Sequence, residues 1–306
     1  MKRLFCLLVL VTSCGISQQN NVSLVVLGTV QDGGSPHIGC EKECCSPLWK
    51  HPDPTRKVVS LGIIDYENKK TFLFEATPDL PEQLKLLKKV SNLDTETPDG
   101  IFLTHAHMGH YTGLMFLGRE ALGSKNVPVY TMPKMESFLK ENGPWNQLIK
   151  LNNIALKSLH NQQIVSLTPN ISVVPFTVPH RDEYSETVGF KIIGPEKSVL
   201  FIPDIDKWSK WETSIIEAIK DADYAFLDAT FYDNKELNYR DISEIPHPFV
   251  IESLELFKNL SNKEKSKIHF IHFNHTNPLL TPNSPETKHT ILEGFRIAKF
   301  KQVIGL

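Results

Sequence analysis

The sequence predicts an α/β fold in which two β-sheets pack face to face and helices cover both outer faces, an αββα sandwich. Apolar, strand-like runs fall into two groups, one in each half of the chain, and helical segments follow runs in both groups. Two packed sheets with helices outside bury every apolar face. With 306 residues, 41% of them hydrophobic, the chain can bury one large core, so we expect a single domain over residues 22–306.

The first group of runs lies in residues 22–142. A continuous apolar run at Val22–Leu27 predicts a buried strand, and glycines at 28, 33 and 34 suit a turn after it. Alternating segments on either side of Glu67–Lys70 predict a hairpin, and Asp79 is a candidate helix cap. The expected strands are Val22–Leu27, Val58–Asp65, Thr71–Glu75, Ile101–Thr104 and Val127–Tyr130, and the expected helices are Leu80–Val90, His110–Leu122 and Pro133–Asn142.

The second group repeats this alternation without a detectable sequence repeat. Apolar positions recur at strand and helix periods in turn, which predicts the second sheet and its helices. The expected strands are a set within Ile154–Phe176, then Val188–Ile193, Ser198–Ile202, Tyr224–Leu227 and Ile268–His272, and the expected helices are Trp208–Lys220, Pro248–Asn259 and Pro285–Lys299.

The N-terminal residues 1–21 are typical of a bacterial lipoprotein signal peptide and tether. Lys2 and Arg3 precede the apolar Leu4–Val11, which is too short to span a bilayer, and Val11–Cys14 resembles a lipoprotein cleavage box. We therefore expect an exported protein, anchored by a lipidated Cys14 to a bacterial membrane on the periplasmic side or the cell surface. The alternative is an ordinary signal peptide with incidental cysteines, which also implies export.

The charge balance of the chain indicates which class of molecule it binds. The formal net charge is −2, so no excess of basic residues is available to neutralise a phosphate backbone. We expect a small-molecule substrate and no nucleic-acid partner. The sequence carries no signal for an oligomeric state.

Three cysteines remain in the folded part, namely Cys40, Cys44 and Cys45. An odd number cannot pair completely within the chain, and adjacent cysteines bridge one another only with strain. Three thiolates from one loop instead suit zinc, which takes four sulfur or nitrogen ligands. The alternative is a Cys40–Cys44 or Cys40–Cys45 disulfide with one spare thiol.

A histidine cluster directly follows the apolar run Gly100–Thr104. His105, His107 and His110 lie within one short turn there, where neutral imidazoles at the rim of a sheet can share a metal ion. A chance group of surface histidines would not require both this strand context and this spacing. Each of three later apolar runs is also followed by one polar residue that can bind a metal. These residues are His180, Asp204 and His272.

This order resembles the H-x-H-x-D-H signature of the metallo-β-lactamase superfamily, whose later ligands also come from strand ends. The resemblance covers about residues 22–306 and implies the αββα sandwich of that family. It also implies that His105, His107 and His180 hold one metal, that Asp204 bridges to a second, and that His110 and His272 complete the second position. Zinc is the expected ion, with manganese or iron as alternatives, and a bound Zn²⁺ lowers the pKa of water to about 7, which supplies hydroxide.

Local phrases resemble two related branches, the pyrroloquinoline quinone biosynthesis protein B branch and the carbon-phosphorus lyase phosphodiesterases. The second branch implies a structural zinc held by a cysteine-rich loop and a histidine three positions after the last catalytic one, which here is His275. The first implies a substrate contact or catalytic role for His247. The phrases are Gly28–Pro36, His110–Leu114, Asp228–Phe231 and His272–Pro278.

One residue departs from the signature, because Gly109 stands where the family has its aspartate. Glycine offers no ligand, so we expect one tight metal and a second that is weak, water-filled or absent. Asp32 and Asp228 lie near the site edge and are expected to orient ligand histidines. If two metals bind tightly, one of these two residues is the first candidate for the missing ligand. The quinone branch keeps the aspartate and loses the leading histidines instead.

The leading functional interpretation is therefore an exported metal-dependent hydrolase that cleaves a small phosphodiester or related ester, with Asp204 and His247 as catalytic residues. A quinone-cofactor biosynthesis or redox protein on the same fold is the second interpretation. A lipoprotein that binds metal or ligand without catalysis is the third.

Lipidation gives a direct test at Cys14. Because each acyl CH₂ buried in a membrane contributes about 0.8 kcal/mol, two or three chains hold a domain at the bilayer. We expect Cys14→Ala to leave the protein unprocessed or soluble on cell fractionation, whereas Cys6→Ala should fractionate like the wild type. Wild-type protein in the cytoplasm with an intact N-terminus would show the lipoprotein interpretation to be wrong.

Overall fold

The computed structural model describes residues 21–237 and 242–306 of the chain. The predicted signal peptide and Cys14 lie outside the described residues, apart from Asn21 at the end of the tether. Over the two described ranges, no helix combines the length and the apolar character needed to cross a membrane.

Two seven-stranded sheets form the centre of the fold, which confirms the predicted αββα sandwich. The first has the strand order β14-β1-β2-β3-β4-β5-β6 and the second the order β13-β12-β11-β10-β9-β8-β7. The strands are β1 Val22–Gly28, β2 Ser60–Asp65, β3 Lys70–Phe74, β4 Gly100–Phe102, β5 Val127–Thr131, β6 Ile154–Ser158, β7 Val165–Thr168, β8 Ile171–Thr177, β9 Val188–Ile193, β10 Ser198–Ile202, β11 Tyr224–Asp228, β12 Ile268–Ile271, β13 Arg296–Ile297 and β14 Val303–Gly305.

Helices cover the outer face of each sheet. The α-helices are α1 Ser46–Lys50, α2 Leu80–Ser91, α3 Met108–Tyr111, α4 Pro133–Glu141, α5 Trp145–Lys150, α6 Ile215–Lys220, α7 Val250–Phe257, α8 Asn262–Lys265 and α9 Pro285–Leu292. Short 3₁₀ helices lie at Thr112–Leu117, Trp208–Lys210, Asn234–Glu236, Ile242–Glu244 and Pro278–Leu280.

Aromatic side chains fill the space between the two sheets. Phe74 and Phe102 from the first sheet meet Phe190 and Phe201 from the second, and all four are fully buried. The Phe190 ring stands edge-on to Phe74 and Phe102, with centroid distances of 5.3 and 5.7 Å. Separate apolar clusters lie between each sheet and its own helices. The alternation of inward and outward apolar residues therefore accounts for the layers.

Two of the predicted helices are interrupted. The helix expected over His110–Leu122 is α3 followed by a 3₁₀ helix, because Gly113 packs so closely on residues 76–77 that a Cβ would lie 2.0 Å from the carbonyl oxygen of Thr77. The helix expected over Trp208–Lys220 breaks at residues 211–214, and α6 begins anew with the Ser214 hydroxyl accepting the Glu217 amide. Tertiary contacts outweigh helical spacing in both places.

The segment expected to be one helix over Pro285–Lys299 changes direction. Helix α9 ends at Leu292, Gly294 takes the left-handed conformation with φ +98°, and β13 then pairs with β12. Glycine adopts this conformation readily, so the helix can end sharply there. The following β14 pairs antiparallel with β1, a partnership that sequence patterns did not predict.

The inter-sheet core should set the stability of the fold. Because Phe190 is fully buried against two aromatic rings, Phe190→Ala should lower the free energy of unfolding by about 3–5 kcal/mol. Leu292→Ala, at a side chain that is 83% exposed, should change it by no more than about 0.5 kcal/mol. Denaturant unfolding of both variants measures the difference, and equal losses would contradict this account of the core.

Candidate metal centre

The histidine cluster forms a tight turn directly after β4. Thr104 and His105 follow the end of β4, His107 is the N-cap residue of α3, and His110 lies within that helix. The backbone amide of His110 donates to the carbonyl of His107 at 3.0 Å, which closes the turn. The three imidazoles therefore converge, with His105 Nε2 and His107 Nδ1 only 2.8 Å apart.

A first group of four potential ligands brings this turn together with two later strand ends. It comprises His105, His107, His180 and Asp204, whose donor atoms all lie within 4.8 Å of one another. Asp204 Oδ2 lies 3.3 Å from His105 Nε2 and 3.3 Å from His180 Nε2. Neither ring nitrogen of the buried His180 has a hydrogen-bond partner among the described residues. A buried imidazole with both nitrogens unsatisfied fits a metal ligand better than a structural residue.

A second group shares Asp204 with the first. It comprises Asp32, His110, Asp204 and His272. Asp32 Oδ1 lies 2.9 Å from His110 Nε2 and 3.2 Å from His272 Nε2, and Asp204 Oδ2 lies 3.7 Å from His110 Nε2. The structure thus brings together all six residues that the sequence predicted for the active site, and it adds Asp32.

The separations within both groups suit a shared cation. Donor atoms that each lie about 2.0–2.3 Å from one ion are about 3–3.8 Å from one another. Nitrogen and carboxylate donors of this kind suit zinc, manganese or iron. The donor sets and the unsatisfied nitrogens of His180 therefore fit two metal positions that meet at Asp204.

In three of the candidate ligand histidines, the ring nitrogen that faces away from the metal position contacts a polar residue, and this contact orients the ring. Thr104 Oγ1 lies 2.8 Å from His105 Nδ1, Glu75 Oε2 lies 3.3 Å from His110 Nδ1, and Thr230 Oγ1 lies 2.8 Å from His272 Nδ1. Partners on one ring nitrogen direct the other nitrogen at a metal. The sequence analysis did not identify Glu75, Thr104 or Thr230. Their only sequence signal is that each is a polar residue one or two positions beyond a strand.

Two of these residues have a left-handed backbone. Glu75 has φ +77° and His272 has φ +67°, and both are fully buried. Such a conformation costs on the order of 1–3 kcal/mol for a residue other than glycine and persists where the surroundings impose it. Here it turns both side chains toward the same group of histidines.

His247 lies beside the shared aspartate. Its Nδ1 is 2.9 Å from Asp228 Oδ2 and 3.1 Å from Asp204 Oδ1, and its ring is 5.4 Å from the ring of His180. Burial acts to lower the pKa of His247, but the carboxylates of Asp228 and Asp204 raise that pKa to about 10. The ring therefore carries two protons at neutral pH. The structure places His247 beside Asp204 and Asp228 in the candidate site, and its contact with a substrate stays a prediction.

Burial and neighbouring charges move the ligand pKa values in opposite directions. Burial, together with the nearby His110, holds the pKa of His105 well below its usual range, so His105 is neutral and free to bind a metal. Burial acts the same way on His110, but the carboxylates of Asp32 and Glu75 outweigh it and raise the His110 pKa well above the usual range. A metal ion at the second position would replace that proton.

A separate group surrounds the cysteine loop. Cys44 Sγ lies 3.6 Å from Cys40 Sγ, 3.9 Å from Cys45 Sγ and 3.6 Å from His275 Nδ1, and Cys45 Sγ lies 3.3 Å from the same nitrogen. All three cysteines are free, which excludes the alternative disulfides in this structure. The separations fit four ligands of one tetrahedral zinc, at about 3.3–3.8 Å from one another. Burial and the neighbouring thiols raise the pKa of Cys44 to about 12, so a cation is needed to hold its thiolate.

The second active-site position has one carboxylate more than His110, His272 and the shared Asp204 alone would give it, although Gly109 offers none. Gly109 does face the cluster, but a Cβ at that position would lie 2.6 Å from Asp32 Cα and 2.7 Å from Asp32 Cγ. The space is occupied by Asp32 from the loop after β1. Asp32 was expected to orient a histidine and was one of two candidates for the missing ligand, and its carboxylate lies directly between His110 and His272.

Comparisons with known proteins agree with this geometry. The sequence profile described as a beta-lactamase superfamily domain matches residues 70–270. Coenzyme PQQ synthesis protein B of Bradyrhizobium diazoefficiens is 25% identical over 302 residues, which cover 90% of this chain and 96% of that protein.

Two solved structures are similar over nearly the whole chain. Zn(2+)-bound PqqB from Methylobacterium extorquens superposes with a TM-score of 0.75 at 19% identity, over 93% of this chain and 100% of that one. A diphosphatase from the PhnP family superposes with a TM-score of 0.65 at 23% identity, over 92% and 96% of the two chains. At these identities the likeness concerns the fold.

The cysteine group should bind zinc independently of the histidine groups. Structural zinc in small sites contributes on the order of 10 kcal/mol to folding, so Cys44→Ser should lower the melting temperature and remove one zinc per chain while the other metals stay bound. Ser46→Ala, two residues away and outside the group, should do neither. Elemental analysis with thermal unfolding measures both effects. Thiols that react freely in metal-replete wild-type protein would contradict the zinc site.

Proposed function

The chain belongs to the beta-lactamase superfamily, and from that premise we propose that it is a metal-dependent hydrolase of a small phosphodiester or related ester. The observation that carries the proposal is the pair of four-residue ligand groups that share Asp204. A complete set of His105, His107, His180 and Asp204 is what a hydrolytic metal position needs. The similarity in fold to a diphosphatase from the PhnP family supports a phosphate-containing substrate over a β-lactam.

Four residues would hold the metal ion that supplies the hydrolytic chemistry. His105, His107, His180 and Asp204 would hold the first ion. A bound ion of this kind lowers the pKa of water to about 7 and polarises the bond under attack. Asp204 Oδ2 lies within 3.7 Å of nitrogens from both groups, so the same carboxylate fixes the two positions relative to each other.

His247 is the proposed general acid. Asp228 and Asp204 hold its Nδ1 between two carboxylate oxygens, at 2.9 and 3.1 Å. This pairing keeps the ring protonated and leaves Nε2 as the atom that can donate a proton to the oxygen of a leaving group. A positioned acid of this kind contributes about 10²–10⁴-fold to a rate.

Similarity to coenzyme PQQ synthesis protein B over 90% of the chain favours a second candidate, a role in the biosynthesis of a quinone cofactor or in redox chemistry. Metal identity separates the two candidates. Zinc or manganese with hydrolytic turnover supports the hydrolase, whereas iron with redox-sensitive absorbance supports the second. A protein that binds metal without turnover corresponds to a third, non-catalytic role. Lipid anchoring through Cys14 would place any of these activities at a membrane surface outside the cytoplasm.

The hydrolase proposal is tested with bis-p-nitrophenyl phosphate. Loss of a partner that merely orients a ligand costs about 10–100-fold, so removal of a ligand itself in His107→Ala should lower turnover by more than about 100-fold. His160→Ala, at an exposed histidine outside both groups, should retain wild-type turnover. Release of p-nitrophenol measures the rates. If metal-replete wild-type protein cleaves neither this compound nor any member of a panel of phosphodiesters and lactones, the non-catalytic role is favoured.

A further inference from the structure

We propose that Asp32 has taken over the role of the aspartate absent at Gly109, so that the second metal position has a full set of protein ligands from a different part of the chain. The proposal rests on the metal binding in the proposed function and not on the substrate. It replaces the expectation of a single tight active-site metal with two.

The first argument is exclusion of volume. A Cβ on Gly109 would lie 2.6, 2.7 and 2.8 Å from Cα, Cγ and Cβ of Asp32, and real Cβ atoms essentially never approach closer than 3.0 Å. Position 109 therefore cannot carry a side chain while the backbone of Asp32 lies where it does. The glycine at 109 is what allows the loop after β1 to approach and to place a carboxylate here.

The second argument concerns how the backbone delivers Asp32. Beyond β1, the Gln31 amide donates to the Phe273 carbonyl at 2.8 Å, and the Phe273 amide donates to the Thr29 carbonyl at 2.8 Å. These two bonds hold residues 29–31, just before Asp32, in register with Phe273, just after His272. The loop then turns away at Gly34, where φ is +73°. Asp32 is therefore held beside His272 by strand-like pairing rather than by a free loop.

The third argument is electrostatic. Thr230 Oγ1 donates its proton to Asp228 Oδ1 at 2.7 Å, so it accepts from His272 Nδ1 at 2.8 Å. In the neutral ring, which is the form that binds a metal, the lone pair of His272 is then on Nε2, which faces Asp32 Oδ1 at 3.2 Å. This lone pair and the carboxylate oxygen repel each other unless a positive charge, carried by a cation or by a second proton on the ring, lies between them.

The same Asp32 oxygen also faces His110. His110 Nε2 lies 2.9 Å from it, and the opposite ring nitrogen faces the buried Glu75 carboxylate. Asp204 approaches the same space, at 3.7 Å from His110 Nε2. Two imidazoles and two carboxylates directed at one point form a ligand set for a divalent cation. A single proton could not bind to all four of these groups.

Asp228 is a weaker candidate for the missing ligand, although it lies within the same cluster. Its Oδ1 accepts from the amide and the hydroxyl of Thr230 at 2.9 and 2.7 Å. Its Oδ2 accepts from the Ile205 amide at 3.2 Å and faces His247 Nδ1 at 2.9 Å. Both oxygens are engaged by the protein, whereas the bonds of Asp32 Oδ1 go to the two candidate ligand histidines.

The decisive experiment removes the carboxylate at position 32 in the full chain. The variants are Asp32→Gly, Asp32→Asn and, as the matched control at a buried aspartate outside the site, Asp65→Asn. Each is loaded with zinc, and bound zinc is counted by elemental analysis and isothermal titration. The cysteine-bound zinc, measured through Cys44→Ser, is subtracted.

We expect two active-site zinc ions in the wild type and in Asp65→Asn. Asp32→Gly and Asp32→Asn should bind the second ion at least about 100-fold more weakly, because they lose a direct ligand. Asp32→Asn preserves the size of the side chain, and retention of the first ion and of the cysteine-bound zinc shows that each variant is folded.

Two results would overturn the proposal. One is a wild-type protein with a single active-site zinc at saturation, and the other is an Asp32→Asn variant whose second ion binds as tightly as in the wild type. Failure of the hydrolase proposal gives a different outcome, in which two ions bind in the wild type and no ester is cleaved.

Discussion

The buried carboxylate of Asp204 is the group on which the rest of the site depends. It is 2% exposed, and four histidines from three separate segments of the chain surround it. A buried carboxylate is costly unless charges and hydrogen bonds compensate for the lost solvation. Burial acts to raise the pKa of Asp204, but His180 and His247 hold it well below the usual range. Every strand end that reaches this carboxylate is therefore constrained in length and direction by it.

Several features that lower the stability of the fold lie together at the metal positions. Two buried carboxylates face histidines, two residues have a left-handed backbone, and the nitrogens of His180 have no partner among the described residues. Rigid layers of aromatic side chains on the sheet side of the ligands supply the compensating stability. The protein thus separates its tasks, since packing between the sheets sets the geometry and the loops at one edge carry the chemistry.

Local sequence patterns were sufficient for most strands and for the histidine ligands. Each ligand histidine or aspartate follows an apolar run, and the strand period fixes where that run ends. Patterns were insufficient for Asp32, because its position depends on pairing between residues 29–31 and Phe273, which are far apart in the sequence. Glu75 was missed for a related reason, since the left-handed backbone that turns it toward His110 has no residue-type signature. The interrupted helices at residues 108–117 and 208–220 reflect contacts with other layers, which helical spacing does not report.

The pairing of β14 with β1 has a consequence for biosynthesis. A ribosome makes β1 early and β14 only after most of the other strands, so the edge of β1 has no partner on that side while the intervening chain is produced. An unpaired strand edge is a template for wrong partners, including other nascent chains. The first sheet is complete only once the segment at residues 303–305 is available. The edge of β1 therefore stays open to wrong pairing until the last strand is in place, however stable the finished sheet is.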